Sequence, residues 1–139
     1  YDALERVLKG VETALPEGLV MVDKDGAERS QVRVRWWLDE LNKRPIHEIA
    51  RAPKSGLAQI PNDAMAENIE FALKTHKPVF VGHYWLTGNP EPLSNQVVCT
   101  DYSAAIDSGY MTCYQLDTEQ PLPLKASNFV QYRHDEGPL

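Results

Sequence analysis

The sequence predicts an α+β fold in which helical patterns occur in the first two thirds of the chain and strands dominate the last third. Residues 1–9 and 62–77 show the spacing of apolar residues that is typical of amphipathic helices. Elsewhere, runs rich in valine, tyrosine and threonine alternate with turns that contain glycine or proline, which indicates strands. The chain has 139 residues, 42% of them hydrophobic, so one domain spanning 1–139 with one core is expected.

The first 41 residues predict a short helix followed by a β-hairpin. The helix places its apolar residues on one face, and Gly10 is a natural stop. The strands of the hairpin are residues 19–22 and 32–38, joined through an Asp25-Gly26 turn, which is a favoured hairpin connection. The alternation in the second strand predicts that one of its faces lies in the core, with a tryptophan packed there.

Residues 42–77 predict an irregular excursion that ends in a helix. The excursion is rich in proline and shows only a brief helical pattern at residues 46–50. Asn62 or Asp63 can cap the helix that follows. Its apolar stripe is Met65, Ala66, Ile69 and Leu73.

Residues 78–132 predict a β-rich part, and residues 133–139 predict a frayed tail. After the apolar run that starts at Pro78, further strands are expected near residues 97–100 and 110–114 and, as an edge, at 128–132. Cys99 and Cys113 lie in two of these runs and are expected to be buried free thiols.

The charge balance narrows the partners that the chain can have. With 14 basic and 20 acidic residues the net charge is −6, so neither a nucleic acid polymer nor an anionic membrane surface is expected as a partner. No apolar stretch has the length of a membrane span, and no signal peptide is recognisable, so a cytoplasmic protein is expected. Because an amphipathic pattern is already under way at Tyr1, we expect the chain to begin inside a larger protein.

The strongest functional candidate is His83, which follows Gly82 at the expected carboxyl end of a strand. Ligands and metals often bind at that edge of a sheet. A neutral imidazole there can bind a divalent metal, and glycine before it allows a sharp turn. A half-buried histidine bonded to a backbone carbonyl is the alternative that the spacing leaves open.

Three blocks of the sequence resemble the closing section of calcineurin-like metallophosphoesterases. They are the run that ends in Gly82-His83 at residues 79–85, the run that starts with asparagine at 95–103, and the run that starts with glycine at 109–117. Residues 8–37 resemble the segment between the last two metal-binding histidines of that family. The resemblance is closest to the bacterial branch related to serine/threonine protein phosphatases and dinucleoside tetraphosphatases. It implies a mixed β-sheet from the C-terminal half of an αββα sandwich.

The resemblance implies that His83 is the last ligand of a centre with two divalent cations, of Mn, Fe, Zn or Ni, that hydrolyses phosphate esters or anhydrides. The family's Asp-x-His, Gly-Asp-x-x-Asp-Arg and Gly-Asn-His motifs are absent from the sequence. Trp85 stands where some members carry a second histidine. A lone imidazole cannot hold these ions. We therefore expect the isolated chain to be inactive and to hold no metal, and its partner to be the N-terminal half of the same protein.

The same resemblance suggests further site residues. The Asp101 carboxylate can orient His83 by accepting a hydrogen bond from its imidazole behind the metal, or it can cap a turn. Arg33 and Arg35 share a strand face and can grip phosphate oxygens, although a solvated outer face is the favoured interpretation. Lys9 is a weaker candidate, because a cation at a helix end already complements the helix dipole. Trp85, the aromatic residue beside the expected ligand, is a substrate-binding candidate that can stack on a nucleobase, which would suit a dinucleotide substrate.

The substrate is expected to contain phosphate, as a phosphoprotein or a dinucleoside polyphosphate. A non-catalytic binding or regulatory module that keeps this part of the fold is the alternative, and a structural β-rich domain is a third possibility. Because half of a sandwich would expose apolar surface, a homodimer through an exposed sheet is also expected.

Overall fold

The computed structural model describes residues 10–22, 26–133 and 137–138. The expected helix at residues 1–9 lies outside the described residues, as do most of the expected hairpin turn and part of the tail. The chain divides into two compact units, Tyr1–Leu73 and Lys74–Leu139. Both helices and strands are present, which confirms the α+β class.

The first unit contains two small antiparallel sheets. In one, β1 (Glu12–Ala14) pairs with β4 (Gln31–Arg33). In the other, β2 (Met21–Val22) pairs with β3 (Glu28–Arg29) around Gly26, whose φ is 79°.

The expected hairpin partner of residues 19–22 was wrong. Val22 lies opposite Glu28, whereas Val32 lies opposite Thr13 of β1. The register explains the exchange, because both Val32 and Thr13 are buried there and a slip of one residue would turn Val32 to solvent. The expected core face of this segment is confirmed, since Val34 is buried as well.

The second expected strand also ends earlier than predicted, at a turn in which the Leu38 amide donates to the Arg35 carbonyl oxygen. Trp36 nevertheless packs against the core as expected. Its indole makes an edge contact with Phe71, with the ring centroids 5.5 Å apart.

Three short helical segments follow. They are a 3-10 helix at Leu41–Lys43, α1 at Ile46–Ile49 and α2 at Lys54–Leu57. The brief helical pattern at residues 46–50 is therefore confirmed, and Ile46 and Ile49 are fully buried at the centre of the core. α2 was not anticipated, because its glycine is a poor helix former.

The expected helix at residues 62–77 was wrong, because the chain there is extended and irregular. Its backbone groups bond to a distant segment of the chain instead of to one another. The Ile46 amide donates to the Ala64 carbonyl, and the Ala66 amide donates to the Arg44 carbonyl. Asn68 then adopts a left-handed φ of 56° that no helix interior tolerates. Ala66 and Ile69 are nevertheless buried, as the predicted apolar stripe required, although they do not lie in a helix.

The second unit contains a parallel pair and a four-stranded antiparallel sheet. β5 (Val79–Val81) pairs with β6 (Val97–Cys99). The strands of the larger sheet are β7 (Asp101–Tyr102), β8 (Tyr110–Tyr114), β9 (Phe129–Arg133) and β10 (Gly137–Pro138). Their order in the sheet is β10-β9-β8-β7.

The strands expected in the last third of the chain are confirmed, with two corrections. β9 is not an edge, because Pro138 lies opposite Tyr132 on its outer side. The expected frayed tail therefore contains a paired segment, since an open edge of backbone groups gains hydrogen bonds when a strand covers it. Cys99 is buried as expected, but Cys113 is exposed, because the strand alternation turns it to the open face of the sheet.

Within the described ranges, no helix is both long and apolar enough to cross a bilayer.

Candidate functional site

The carboxyl end of β5 carries Gly82 and then His83, as the sequence predicts. The strand is held by hydrogen bonds at both ends. The Val79 amide donates to the Gln96 carbonyl at 2.8 Å, and the Thr100 amide donates to the Val81 carbonyl at 3.1 Å. β6 is completely buried, which fixes the depth of the pair in the unit. His83 lies two residues after the end of β5 and is exposed.

The sharp turn after β5 is made by His83 and not by the glycine before it. His83 has a φ of 63° and Trp85 has a φ of 50°, whereas Gly82 is not among the residues with positive φ. A Cβ at Gly82 would meet no atom within 4 Å. The expected role of Gly82 was therefore wrong, and the unusual backbone conformation lies at the functional candidates themselves.

The Asp101 carboxylate organises this loop. Its Oδ2 accepts a hydrogen bond from the Trp85 amide at 3.2 Å, and its Oδ1 accepts one from the Ser103 amide at 3.1 Å. The Asp101 carbonyl accepts from the Leu86 amide at 3.0 Å. Asp101 thus holds two left-handed residues, Trp85 and Ser103, in place. The hydrogen bond expected from Asp101 to the His83 imidazole stays a prediction.

Ser103 ties the loop to the turn that precedes β8. Its hydroxyl donates to the Leu86 carbonyl at 3.1 Å, and its own carbonyl accepts from the Ile106 amide at 3.1 Å. A Cβ added at Gly109 would lie 1.7 Å from the Ser103 carbonyl oxygen. Sequence reasoning missed this close approach, although the sequence Asp107-Ser108-Gly109 is typical of a turn.

Two rings project from the loop beside one another. The centroids of the His83 and Trp85 rings are 6.0 Å apart with an interplanar angle of 88°, an edge-to-face arrangement. Trp85 is 66% exposed, the highest value among the large hydrophobic residues that the structure describes. The loop therefore presents an imidazole and an indole together to solvent.

Tyr102 anchors the base of the site. It is buried, and its hydroxyl oxygen accepts a hydrogen bond from the Glu91 amide at 3.2 Å. Burial raises the pKa of this phenol above its ordinary value. Its neighbour Cys99 has its sulfur 3.4 Å from the Asp101 amide nitrogen, so the thiol supports the same strand end.

The other predicted site residues do not belong to the compact unit that contains this loop. Arg33 and Arg35 are exposed in the first unit, where Arg33 lies 3.6 Å from a Glu12 carboxylate oxygen. Lys9 lies outside the described residues. His83, Trp85 and Asp101 are the predicted residues that the structure brings together.

In the part of the chain that the structure describes, no group of three or more histidine, cysteine or acidic side chains could hold a metal ion. Comparison of the chain with protein-family models, with curated proteins and with solved structures finds no match.

Proposed function

We propose that this chain is the carboxyl-terminal part of a metal-dependent phosphoesterase of the calcineurin-like class, and that it supplies one metal ligand, His83. The observation that carries the proposal is the exposed imidazole at the carboxyl end of β5, which pairs in parallel with the buried strand β6. Ligand sites favour this position in sheets that contain parallel strands. The sequence blocks at residues 79–85, 95–103 and 109–117 support the same class by resemblance.

The residues of the loop fit one corner of a metal centre. An accessible neutral imidazole is a common ligand for Mn, Fe, Zn and Ni. Such sites need several converging ligands, so the others would come from the N-terminal half of the protein. When bound, the ions supply a nucleophilic hydroxide and brace the phosphoryl oxygens. His83 itself would contribute the imidazole donor, next to a loop in which Asp101 bonds to the amides of Trp85 and Ser103.

The left-handed conformation of His83 supports this role. A non-glycine residue in that region costs about 1 kcal/mol and persists where the surrounding structure enforces it. Such residues cluster at functional sites. The cost is consistent with a loop that is built to aim the ring.

The test is His83→Ala in the full-length protein that contains this chain, prepared with Mn²⁺. We expect bound metal and the hydrolysis of p-nitrophenyl phosphate to fall together. The fall should be at least the roughly 10- to 100-fold that follows loss of an outer-shell metal partner. His76→Ala is the matched control, because His76 is also an exposed histidine of the same unit. If His83→Ala retains metal and activity at the level of His76→Ala, the assignment is wrong.

The alternative is a non-catalytic binding or regulatory module. It is favoured by the 66% exposure of Trp85, because an exposed aromatic anchor is typical of binding surfaces. Under this alternative His83→Ala would leave metal content and hydrolysis unchanged, while substitutions at Trp85 would weaken partner binding.

A further inference from the structure

The stretch of sequence that contains the loop has an unusual charge composition. Residues 78–124 contain neither lysine nor arginine, although the chain has 14 such residues in total. The acidic residues of this stretch are Glu91, Asp101, Asp107, Asp117 and Glu119. The surface that this stretch forms is therefore negative or neutral, and it attracts cations and repels anions.

Three exposed apolar residues are linked to one another through Asp101 and the sheet register. Trp85 is bonded through its amide to Asp101, Asp101 lies opposite Met111 on β8, and Met111 lies opposite Tyr132 on β9. Exposure is 66% for Trp85, 63% for Met111 and 41% for Tyr132. Residues opposite one another in antiparallel strands have neighbouring side chains on one face. We call Trp85, Asp101, Met111 and Tyr132 together the Trp85 strip.

We propose that the Trp85 strip binds an arginine side chain of a basic polypeptide segment. A guanidinium stacks on an indole face by cation–π attraction, and its planar fork pairs with a carboxylate. Asp101 can take this part, because a carboxylate has about four acceptor positions and the amides of Trp85 and Ser103 each occupy one. The flexible Met111 side chain provides apolar surface for the methylene stem of the arginine.

Charge and area favour this occupant over the others. An anionic ligand would be repelled by Asp101, and the stretch 78–124 supplies neither lysine nor arginine to attract it. A second copy of the chain would place the same negative charge opposite itself. The exposed apolar area of Trp85, Met111 and Tyr132 amounts to a few hundred Å², which is below the roughly 800 Å² that each partner of a stable protein pair buries. A short peptide segment matches that size.

The binding of arginine goes beyond the proposed phosphoester hydrolysis, because it requires neither metal nor phosphate. Its failure would leave the His83 assignment untouched, and loss of metal from His83→Ala would not affect it.

The test is a titration of the ¹⁵N-labelled chain with a short acetylated peptide that contains two arginines. The control peptide carries citrulline, the neutral isostere, in place of arginine. The indole N–H signal of Trp85 is identified by its loss in Trp85→Phe. We expect this signal to shift saturably as the arginine peptide is added. The citrulline peptide should bind at least about fivefold more weakly than the arginine peptide. An absent shift at Trp85, or equal affinity for the two peptides, would overturn the proposal.

Two variants test the strip itself. Met111→Lys places a positive charge opposite Asp101 at an exposed position and should weaken binding of the arginine peptide about fivefold. Met65→Lys is the matched control, since Met65 is an exposed methionine of the other unit. Trp85→Leu, which removes the π face but keeps apolar volume, should weaken binding about threefold. If the Met111→Lys and Trp85→Leu variants bind the arginine peptide as tightly as the Met65→Lys variant does, the assignment is wrong.

Discussion

Position 109 shows how one missing side chain lets the candidate site form. Gly109 passes so close to Ser103 that a Cβ would lie 1.7 Å from its carbonyl oxygen. Ser103 in turn binds the Asp101 carboxylate and the Leu86 carbonyl. The geometry of the whole loop therefore depends on this glycine.

We expect Gly109→Ala to lower the free energy of unfolding by about 2–4 kcal/mol, because backbone must move to accept the methyl group. Gly82→Ala is the matched control. It meets nothing within 4 Å and should change the free energy of unfolding by less than about 0.5 kcal/mol. Urea unfolding of the two variants measures the difference. Equal stabilities would contradict the close approach at Gly109.

At the residue scale, the sequence singled out side chains that the structure brings together, but it assigned the sharp turn to the wrong residue. His83, Asp101 and Trp85 were all singled out and lie in one loop. Positive φ was expected near Gly82, because glycine adopts it at no cost. The structure places it at His83 and Trp85, and the Trp85 amide is bonded there to the carboxylate of the distant Asp101. No local rule anticipates that distant bond.

At the element scale, the segment at residues 62–77 shows why helical spacing alone was insufficient. The Asn42 side chain bonds to both backbone groups of Ile69, so these groups are satisfied without a helix. Its Oδ1 accepts from the Ile69 amide at 2.8 Å, and its Nδ2 donates to the Ile69 carbonyl at 3.1 Å. Such a pair of bonds satisfies an extended backbone as a neighbouring strand would.

The extended and helical structures of this segment predict opposite effects of two substitutions. Asn42→Ala should lower the free energy of unfolding by about 1–3 kcal/mol, since it leaves two backbone groups of buried Ile69 without a partner. Asn62→Ala should have little effect, because Asn62 caps no helix here. If residues 62–77 were helical, Asn62→Ala would instead cost about 1 kcal/mol. Chemical denaturation of both variants decides between them.

Strands were predicted better than helices because alternation and β-branched runs are local signals. β5, β6, β8 and β9 all fall where the sequence placed them. Their partners were less predictable. β4 pairs with β1, for example, because that register buries both Val32 and Thr13.

At the scale of the whole molecule, self-association through the open edge of β5 is a proposal that the structure makes testable. Among the described residues, β5 pairs only with β6. Because Val79 and Val81 bond to β6, alternation turns the backbone groups of Phe80 to the other side. The Phe80 side chain is also 45% exposed. An open strand edge with apolar side chains favours pairing with another strand.

We expect sedimentation at high concentration to detect a dimer of this chain. Phe80→Pro removes the outward amide and should shift the population to monomer, because proline cannot donate to a new ladder. Phe80→Val keeps that amide and should retain the dimer. A monomer for the unmodified chain at every concentration would contradict pairing through this edge.

The sequence by itself determined the α+β class, strands β5, β6, β8 and β9 of the second unit, the apolar face of β4 and the residues of the candidate loop. These features depend on periodicity and residue type, which act over a few neighbouring positions. Tertiary structure decided the pairing of β4 with β1, the extended path of residues 62–77 and the left-handed conformation of Trp85. Each of these depends on partners distant in sequence, whose hydrogen bonds and burial outweigh local preferences of the order of 1 kcal/mol per residue.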